Sequence, residues 1–363
     1  MHNLPGNQPW RTTMTTYAFW NNKGGVGKSY LTFQVSCEYA RQHPEQNILV
    51  IDACPQANSS IMLLGGISVG ESNLDNLATS TPLRTISGYV EDRIRNPYAS
   101  PKTGATFVHQ VRKFNSAVPS NLFIVPGDEQ LEVQASRVSG ATIPGPPDAW
   151  RVVHQWISDL ITEIATSWNR PYTVFIDCNP SFTVYTELAL SASDCVIVPF
   201  TADGSSKRAV RTLLALIYGI ARHPGAQQSQ FFLNSNIFRM TIPNIYSYVG
   251  NRLTQNIGAA AAFRTVVNEI GNEIFRVWQS NPNRFIIHPT GSPPPRSRQE
   301  FRRMFQAEIA DANTASVVSG ALGVPMHALT AGAKNLIGRT VTVNQSQLDS
   351  LRPNIESFVQ TIE

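Results

Sequence analysis

Residues 15–30, Thr-Thr-Tyr-Ala-Phe-Trp-Asn-Asn-Lys-Gly-Gly-Val-Gly-Lys-Ser-Tyr, constrain the fold of this chain more than any other stretch. Tyr17 to Trp20 reads as a short strand, and Asn21 to Gly27 is a glycine-rich loop. From Lys28 onward, apolar residues recur at Leu31, Val35 and Tyr39, as on one face of a helix. Strand, glycine loop and helix in that order build a phosphate cradle. Successive amide N–H groups converge there, and the helix N-terminus adds partial positive charge. Glycine lets the backbone turn and approach a phosphate without a Cβ clash. In such a cradle Lys28 reaches the β- and γ-phosphates and the Ser29 hydroxyl ligates Mg²⁺.

The usual phosphate-loop pattern, G-x-x-x-x-G-K-S/T, fails at its first glycine, where Asn22 stands. What is present is Lys23-Gly24-Gly25-Val26-Gly27-Lys28-Ser29. It resembles the deviant Walker A of the ParA/MinD family of ATPases, K-G-G-x-G-K-S/T, and lies closest to the ParA-type partition ATPases. The resemblance implies nucleotide contacts from Asn22 through Tyr30. It also implies that Lys23 reaches across a dimer to the other subunit's nucleotide, which places Lys23 with Lys28 and Asp52 among the catalytic residues.

Two later strand exits extend the resemblance. Ile48-Leu-Val-Ile-Asp52 is a short continuous apolar run ending in an acid, the pattern of a buried parallel strand. The family continues D-x-D-P-Q, whereas this chain has Asp52-Ala-Cys54-Pro-Gln. In the family the second acid orients or activates the attacking water. A neutral thiol polarises water poorly. Either Cys54 only packs, with Asp52 or a group from elsewhere doing the work, or intrinsic hydrolysis is very slow. Tyr172-Thr-Val-Phe-Ile-Asp177 is a further strand, and Asp177 matches the Walker B carboxylate, so Ser29, Asp52 and Asp177 are the implied metal set. Gln230 to Asn236 reads as a strand ending in Asn234 and Asn236. By resemblance, one of these hydrogen-bonds the adenine edge.

Strands alternate with helices to about residue 240, which implies an α/β fold with a doubly wound, mostly parallel sheet flanked by helices, ligand at the strands' carboxyl ends. Residues 241–363 read as a mostly helical C-terminal extension, with a short edge strand at Thr340 to Asn344 and a closing helix from Gln345 to Ile362. Residues 1–13 read as a flexible tail. Residues 14–363 read as one domain, with insertions at 65–120 and 284–303, and Trp150 to Trp168 reads as one amphipathic helix.

Charged residues make up 15% of the 363, too few and too balanced for a disordered chain, and no apolar run is long enough to span a membrane. The cysteines, Cys37, Cys54, Cys178 and Cys195, show no metal-ligand spacing, which suggests reduced thiols in the cytoplasm. The cluster-binding iron-protein branch of the family is therefore not expected. A net charge of +4 says little, but its distribution says more. Between Gly204 and Asn268 there is no acid, while Lys207, Arg208, Arg211, Arg222, Arg239, Arg252 and Arg264 all fall there. A second cluster is Arg296, Arg298, Arg302 and Arg303. Such a face attracts polyanions; the bland alternative is a solvated helix surface. With no base-reading module visible, the DNA-contact candidates Lys207, Arg208, Arg211, Arg296, Arg298, Arg302 and Arg303 would touch phosphates without reading sequence. The last helix carries Asp349, Glu356 and Glu363 against one Arg352, unlike a basic membrane-binding tail.

The resemblance therefore implies an ATPase that uses ATP and Mg²⁺, forms a homodimer on binding ATP, contacts DNA on the nucleoid and answers to a ParB-like adaptor. Two rivals remain at this point: a nucleotide-gated scaffold with negligible hydrolysis, and a metabolic P-loop ligase, for which no substrate signature is present.

Overall fold

Side chains alternate across the strand Thr16–Phe19 (β1). Tyr17 and Phe19 enter the core on one face of a sheet, while Ala18 and the following Trp20 enter the core on the other. This is a computed structural model describing residues 14–143, 145–220, 225–253, 257–311 and 313–363. The expected tail at 1–13 lies outside the described residues.

After β1 come α1 (Lys28–Gln42), β2 (Asn47–Ala53), α2 (Asn58–Leu63), α3 (Gly66–Ala78), α4 (Ile86–Arg95), β3 (His109–Gln110) and β4 (Leu122–Val125). Next are α5 (Gln130–Gly140), α6 (Ala149–His154), α7 (Trp156–Thr166), β5 (Tyr172–Cys178), α8 (Val184–Ser191) and β6 (Cys195–Phe200). The chain continues through α9 (Ser206–Tyr218), α10 (Gln230–Ile237), β7 (Asn244–Leu253) and α11 (Ile257–Ser280). It ends with α12 (Arg298–Phe305), β8 (Gln306–Ala310), α13 (Thr314–Leu322), β9 (Gly332–Leu336), β10 (Arg339–Val343) and α14 (Gln345–Val359).

Eight strands form one sheet in the order β3-β4-β2-β5-β1-β6-β7-β8. Every neighbouring pair is parallel except β3 with β4. Helices cover both faces, so β2 is buried at each of its positions, which is why its sequence is a continuous apolar run rather than an alternation. The parallel arrangement puts the carboxyl ends of β1, β2, β5, β6 and β7 on one edge, where the loop after β1 emerges.

Three expectations need correcting. Residues 230–236 are helix, not strand. Ser229 caps α10 by accepting the Phe232 N–H at 3.0 Å, and Phe231 turns inward to an aromatic cluster with Trp150 and Phe182. The strand of that region is β7. Residues 241–363 do carry the expected helices, α11 to α14, and within that span β7 and β8 add two strands to the sheet. Thr340 to Val343 does form a strand, but it pairs with β9 in a separate hairpin rather than at the sheet edge. The stretch from Trp150 is two helices interrupted at Gln155, with Trp156, Ile157, Leu160, Ile161 and Ile164 buried as the periodicity requires. The closing helix is present, with Leu348, Leu351, Ile355 and Val359 buried, and it packs on α1.

Candidate active site

The loop Asn21–Gly27 joins β1 to α1. Gly25 and Gly27 have φ of 75° and 77°, a left-handed conformation that favours glycine, and Gly27 sits at the head of α1. A Cβ at Gly24 or Gly25 would meet nothing within 4 Å, so the space above the loop is open. Two asparagines fix the loop from beneath. Asn21 Nδ2 donates to the Pro199 carbonyl at 2.7 Å, tying the exit of β1 to β6. Asn251, buried near the end of β7, donates to the Val26 carbonyl at 2.9 Å.

Lys28 is buried and folds back over its own loop, donating to the carbonyls of Lys23 at 2.9 Å and Asn21 at 3.4 Å. Burial lowers its pKa, and the charge of Asp177 opposes that shift. The ammonium thus waits over the cradle on weak carbonyl partners that an anion can replace.

Register places Asp52 of β2 directly beside Asp177 of β5, both fully buried. Their environments differ. Asp52 organises the loop that follows it: Oδ1 accepts the Cys54 N–H at 3.1 Å, and Oδ2 accepts the Ser60 N–H at 3.0 Å and the Ser60 hydroxyl at 2.7 Å. Ser60 Oγ in turn accepts the Gly127 N–H at 3.0 Å. Among the described residues neither Asp177 oxygen has a partner at full hydrogen-bond geometry; the Ser29 and Ser59 hydroxyls lie near enough to lower its pKa slightly. Burial first, and then the Asp52 charge, push the Asp177 carboxyl up to about 7. A buried carboxylate orphaned on both oxygens, next to a loop-end hydroxyl, suits a hard cation that takes oxygen ligands, so the residues present fit Mg²⁺. Among the described residues no group of three or more His, Cys, Asp or Glu side chains is gathered to hold a metal.

Cys54 is buried at the carboxyl edge. Burial, followed by the charges of Asp52 and Asp177, pushes its thiol up to about 12. It is a neutral group there, as sequence reasoning expected.

Lys23 is held within its own chain. Its Nζ pairs with Asp203 and donates to Thr201 Oγ1 and Ser206 Oγ, each at 3.2 Å. Asp203 Oδ1 accepts the N–H groups of Ser205 at 3.0 Å and Ser206 at 3.2 Å at the head of α9. Sequence reasoning missed Thr201, Asp203 and Asn251. The available signal for Asp203 was Asp203-Gly204-Ser205-Ser206 just after an apolar strand, a helix-start pattern.

Asn234 and Asn236 do not lie at a strand end. On α10, Asn234 Oδ1 accepts Gln230 Nε2 at 2.9 Å and Asn236 Nδ2 donates to the Phe232 carbonyl at 2.9 Å. Asn251, by contrast, is buried near the carboxyl end of β7.

The basic stretch is partly neutralised by acids just past its end. Lys207 pairs with Glu269 at 2.8 Å, and Arg211 makes a two-pronged pair with Glu273 at 2.8 and 2.9 Å, joining α9 to α11. Arg208 is exposed and forms no ion pair among the described residues. Arg298 lies over the Phe275 ring and Arg302 meets Asn268 and Asn272 of α11, while Arg296 and Arg303 line a cavity elsewhere. Arg222 and the Arg252 side chain lie outside the described residues. Cys37, Cys54, Cys178 and Cys195 are free thiols, and among the described residues no helix is long and apolar enough to cross a membrane.

A family model described as an AAA domain matches residues 14–229. Among solved structures, a single-substitution variant of McdA from Cyanothece in complex with ATP aligns over 97% of this chain and 98% of that one, with a TM-score of 0.56 and 13% identity. A putative plasmid partition protein from Borrelia burgdorferi B31 bound to AMPPNP aligns over 95% of this chain and 98% of that one, with a TM-score of 0.51 and 16% identity. At such identities the likeness is one of fold.

Proposed function

The chain belongs to the AAA-domain family of ParA/MinD-type P-loop ATPases, and from that premise we propose that it binds ATP with Mg²⁺ in the Asn22–Tyr30 cradle, dimerises around the nucleotide, and contacts DNA without reading sequence in order to position a DNA or protein cargo. The observation that carries this reading is the orphaned Asp177 carboxylate beside Ser29 and Lys28 at the mouth of the cradle. The structures of similar fold hold ATP and AMPPNP, which supports an adenine nucleotide. Ser29 and Asp177 would hold a magnesium ion, which would neutralise phosphate charge there. Lys28 exchanges its loop carbonyls for the β- and γ-phosphate oxygens. Lys23 leaves Asp203 and supplies positive charge to the partner subunit's nucleotide, where negative charge develops. Asp52 acts through the loop it organises, holding Cys54 and Ser60 in place.

The cations that face DNA in this reading are Arg208, Arg298 and Arg302, since Lys207 and Arg211 are held by acids. A ParB-like adaptor would stimulate turnover. A second reading, a nucleotide-gated scaffold with negligible intrinsic hydrolysis, is favoured by the neutral, buried Cys54 thiol.

Steady-state phosphate release and sedimentation with ATP and Mg²⁺, with and without DNA, test both. The ATPase reading expects a dimer and slow turnover; the scaffold reading expects a dimer and none. Lys28→Ala should abolish nucleotide binding, because the phosphates lose their main side-chain cation. A Lys28→Ala protein that still bound ATP tightly would overturn the assignment of the cradle.

A further inference from the structure

A cavity of about 620 Å³ opens at the amino end of the sheet. Its place is fixed by β7. His288, in the lining, bonds the Tyr246 carbonyl at 2.9 Å near the start of that strand and stacks on the Tyr246 ring at 4.1 Å. The Tyr246 hydroxyl donates to the carbonyl of Thr361, another lining residue. Asn251, which holds the phosphate loop, stands five residues further along the strand, about 17 Å away. The cavity is therefore a second site, separated from the nucleotide cradle by the length of the strand.

Its chemistry is distinctive. Its lining includes three consecutive prolines, Pro293, Pro294 and Pro295, together with Met304. Proline rings are fixed in φ and lose little freedom when something docks on them. Arg296 and Arg303 stand at the mouth, both exposed. Neither takes part in an ion pair among the described residues. The one acid in the lining, Glu300, already accepts the Arg296 main-chain N–H at 2.7 Å. Nearby Glu363 is likewise engaged, accepting from the N–H and hydroxyl of Thr290. The surface left open is a stiff apolar well with unpaired guanidinium groups at its rim. A duplex backbone is convex and charged along its whole length, so it leaves such a well unfilled. An apolar side chain flanked by carboxylates fills the well and meets both arginines.

We propose that this cavity receives an acidic segment of a partner protein, with one aromatic or aliphatic side chain seated against the prolines and neighbouring carboxylates paired to Arg296 and Arg303. The volume is in the range of ligand pockets, ample for one large side chain and its flanking backbone. This inference is independent of the nucleotide and DNA reading above, because no residue it uses lies in the cradle or among the cations assigned to DNA there.

The test uses the full chain and a display library of random twelve-residue peptides, selected without nucleotide. Selected sequences should carry two or more Asp or Glu residues within a few positions of Trp, Tyr, Phe or Leu. The best of them, synthesised, should bind the Arg296→Glu/Arg303→Glu protein about tenfold or more weakly, and more weakly with salt. It should not bind Ser292→Trp, in which a ring fills the well. Arg296, Arg303 and Ser292 lie at the surface, and thermal melts check that each variant is folded. Selection that yields nothing, that yields peptides without acids, or that yields acidic peptides indifferent to both variants overturns the proposal. So does loss of duplex DNA binding in the double variant without any peptide selection, which would make the rim a phosphate contact.

Discussion

Two side chains at the mouth of the cradle, Cys54 and Asp177, carry consequences that can be measured. The Cys54 thiol, pushed up to about 12, carries no charge at neutral pH and cannot take a proton from water. Cys54→Asp should raise basal hydrolysis, by as much as the 10²–10⁴-fold that a positioned general base typically contributes. It should also lower the melting temperature without metal, because a further carboxylate joins Asp52 and Asp177, and Mg²⁺ should restore it. No rise in phosphate release, with wild type turning over briskly beside DNA and adaptor, would show that another group positions the water. Asp177 gives a pH dependence of definite sign. Its carboxyl is raised from 3.8 to about 7, so the folded chain binds its proton more tightly than the unfolded chain does. Without nucleotide, the Asp177 contribution to stability should be full below about pH 4 and be lost as pH rises towards 7. Asp177→Asn should flatten that decline, and protection by Mg²⁺ should grow over the same interval. Chemical denaturation at a series of pH values reads both; a slope unchanged in Asp177→Asn would move the titration to another group.

Among the elements, α9 is the one that links the cradle to the basic surface. Its head is set by Asp203, which holds Lys23, and its body is joined to α11 through Lys207 and Arg211. Asp203→Asn keeps an oxygen for the Ser205 and Ser206 amides and removes the charge that holds Lys23. If Lys23 must leave to cross the dimer, this variant should dimerise at lower ATP concentration than wild type, with a melting temperature within a few degrees of it. Sedimentation across an ATP series measures this, and unchanged or weaker dimerisation would show that the Lys23–Asp203 pair does not restrain assembly. The same element marks where sequence reading succeeds and fails. The cradle, Asp52 and Asp177 are legible because a glycine loop at a strand–helix junction and an acid at a buried strand's end are local patterns. The Lys23 partner, by contrast, lies 180 residues away and is set by the β1–β6 pairing. Phe231, Phe232 and Leu233 imitate a strand because a short apolar run has no period; the Ser229 cap and the packing of Phe231 decide for helix, which moves the strand-end asparagine to Asn251.

At the scale of the whole molecule, charge shows the same limit. The run from Gly204 to Asn268 is free of acids in sequence, yet Glu269 and Glu273 fold back onto it, so a one-signed stretch is not a one-signed surface. The consequence is a prediction that separates two kinds of arginine. If the ATP-bound protein meets DNA through phosphate contacts, affinity falls linearly with the logarithm of salt, with a slope of about 0.9 per phosphate neutralised. Replacing the exposed Arg208 and Arg298 together by Gln should reduce that slope by about 2, alike for every duplex sequence, and leave the melting temperature nearly unchanged. Arg211→Gln should do the reverse. It removes the two-pronged partner of Glu273, loosens the α9–α11 contact and lowers the melting temperature, while the salt slope stays near that of wild type. Fluorescence anisotropy on two unrelated duplexes from about 50 to 200 mM salt, beside thermal melts, gives both numbers for each variant. Arg211→Gln flattening the slope as much as the double variant, at unchanged stability, would mean that DNA displaces Glu273 and that the contact face includes the paired residues after all.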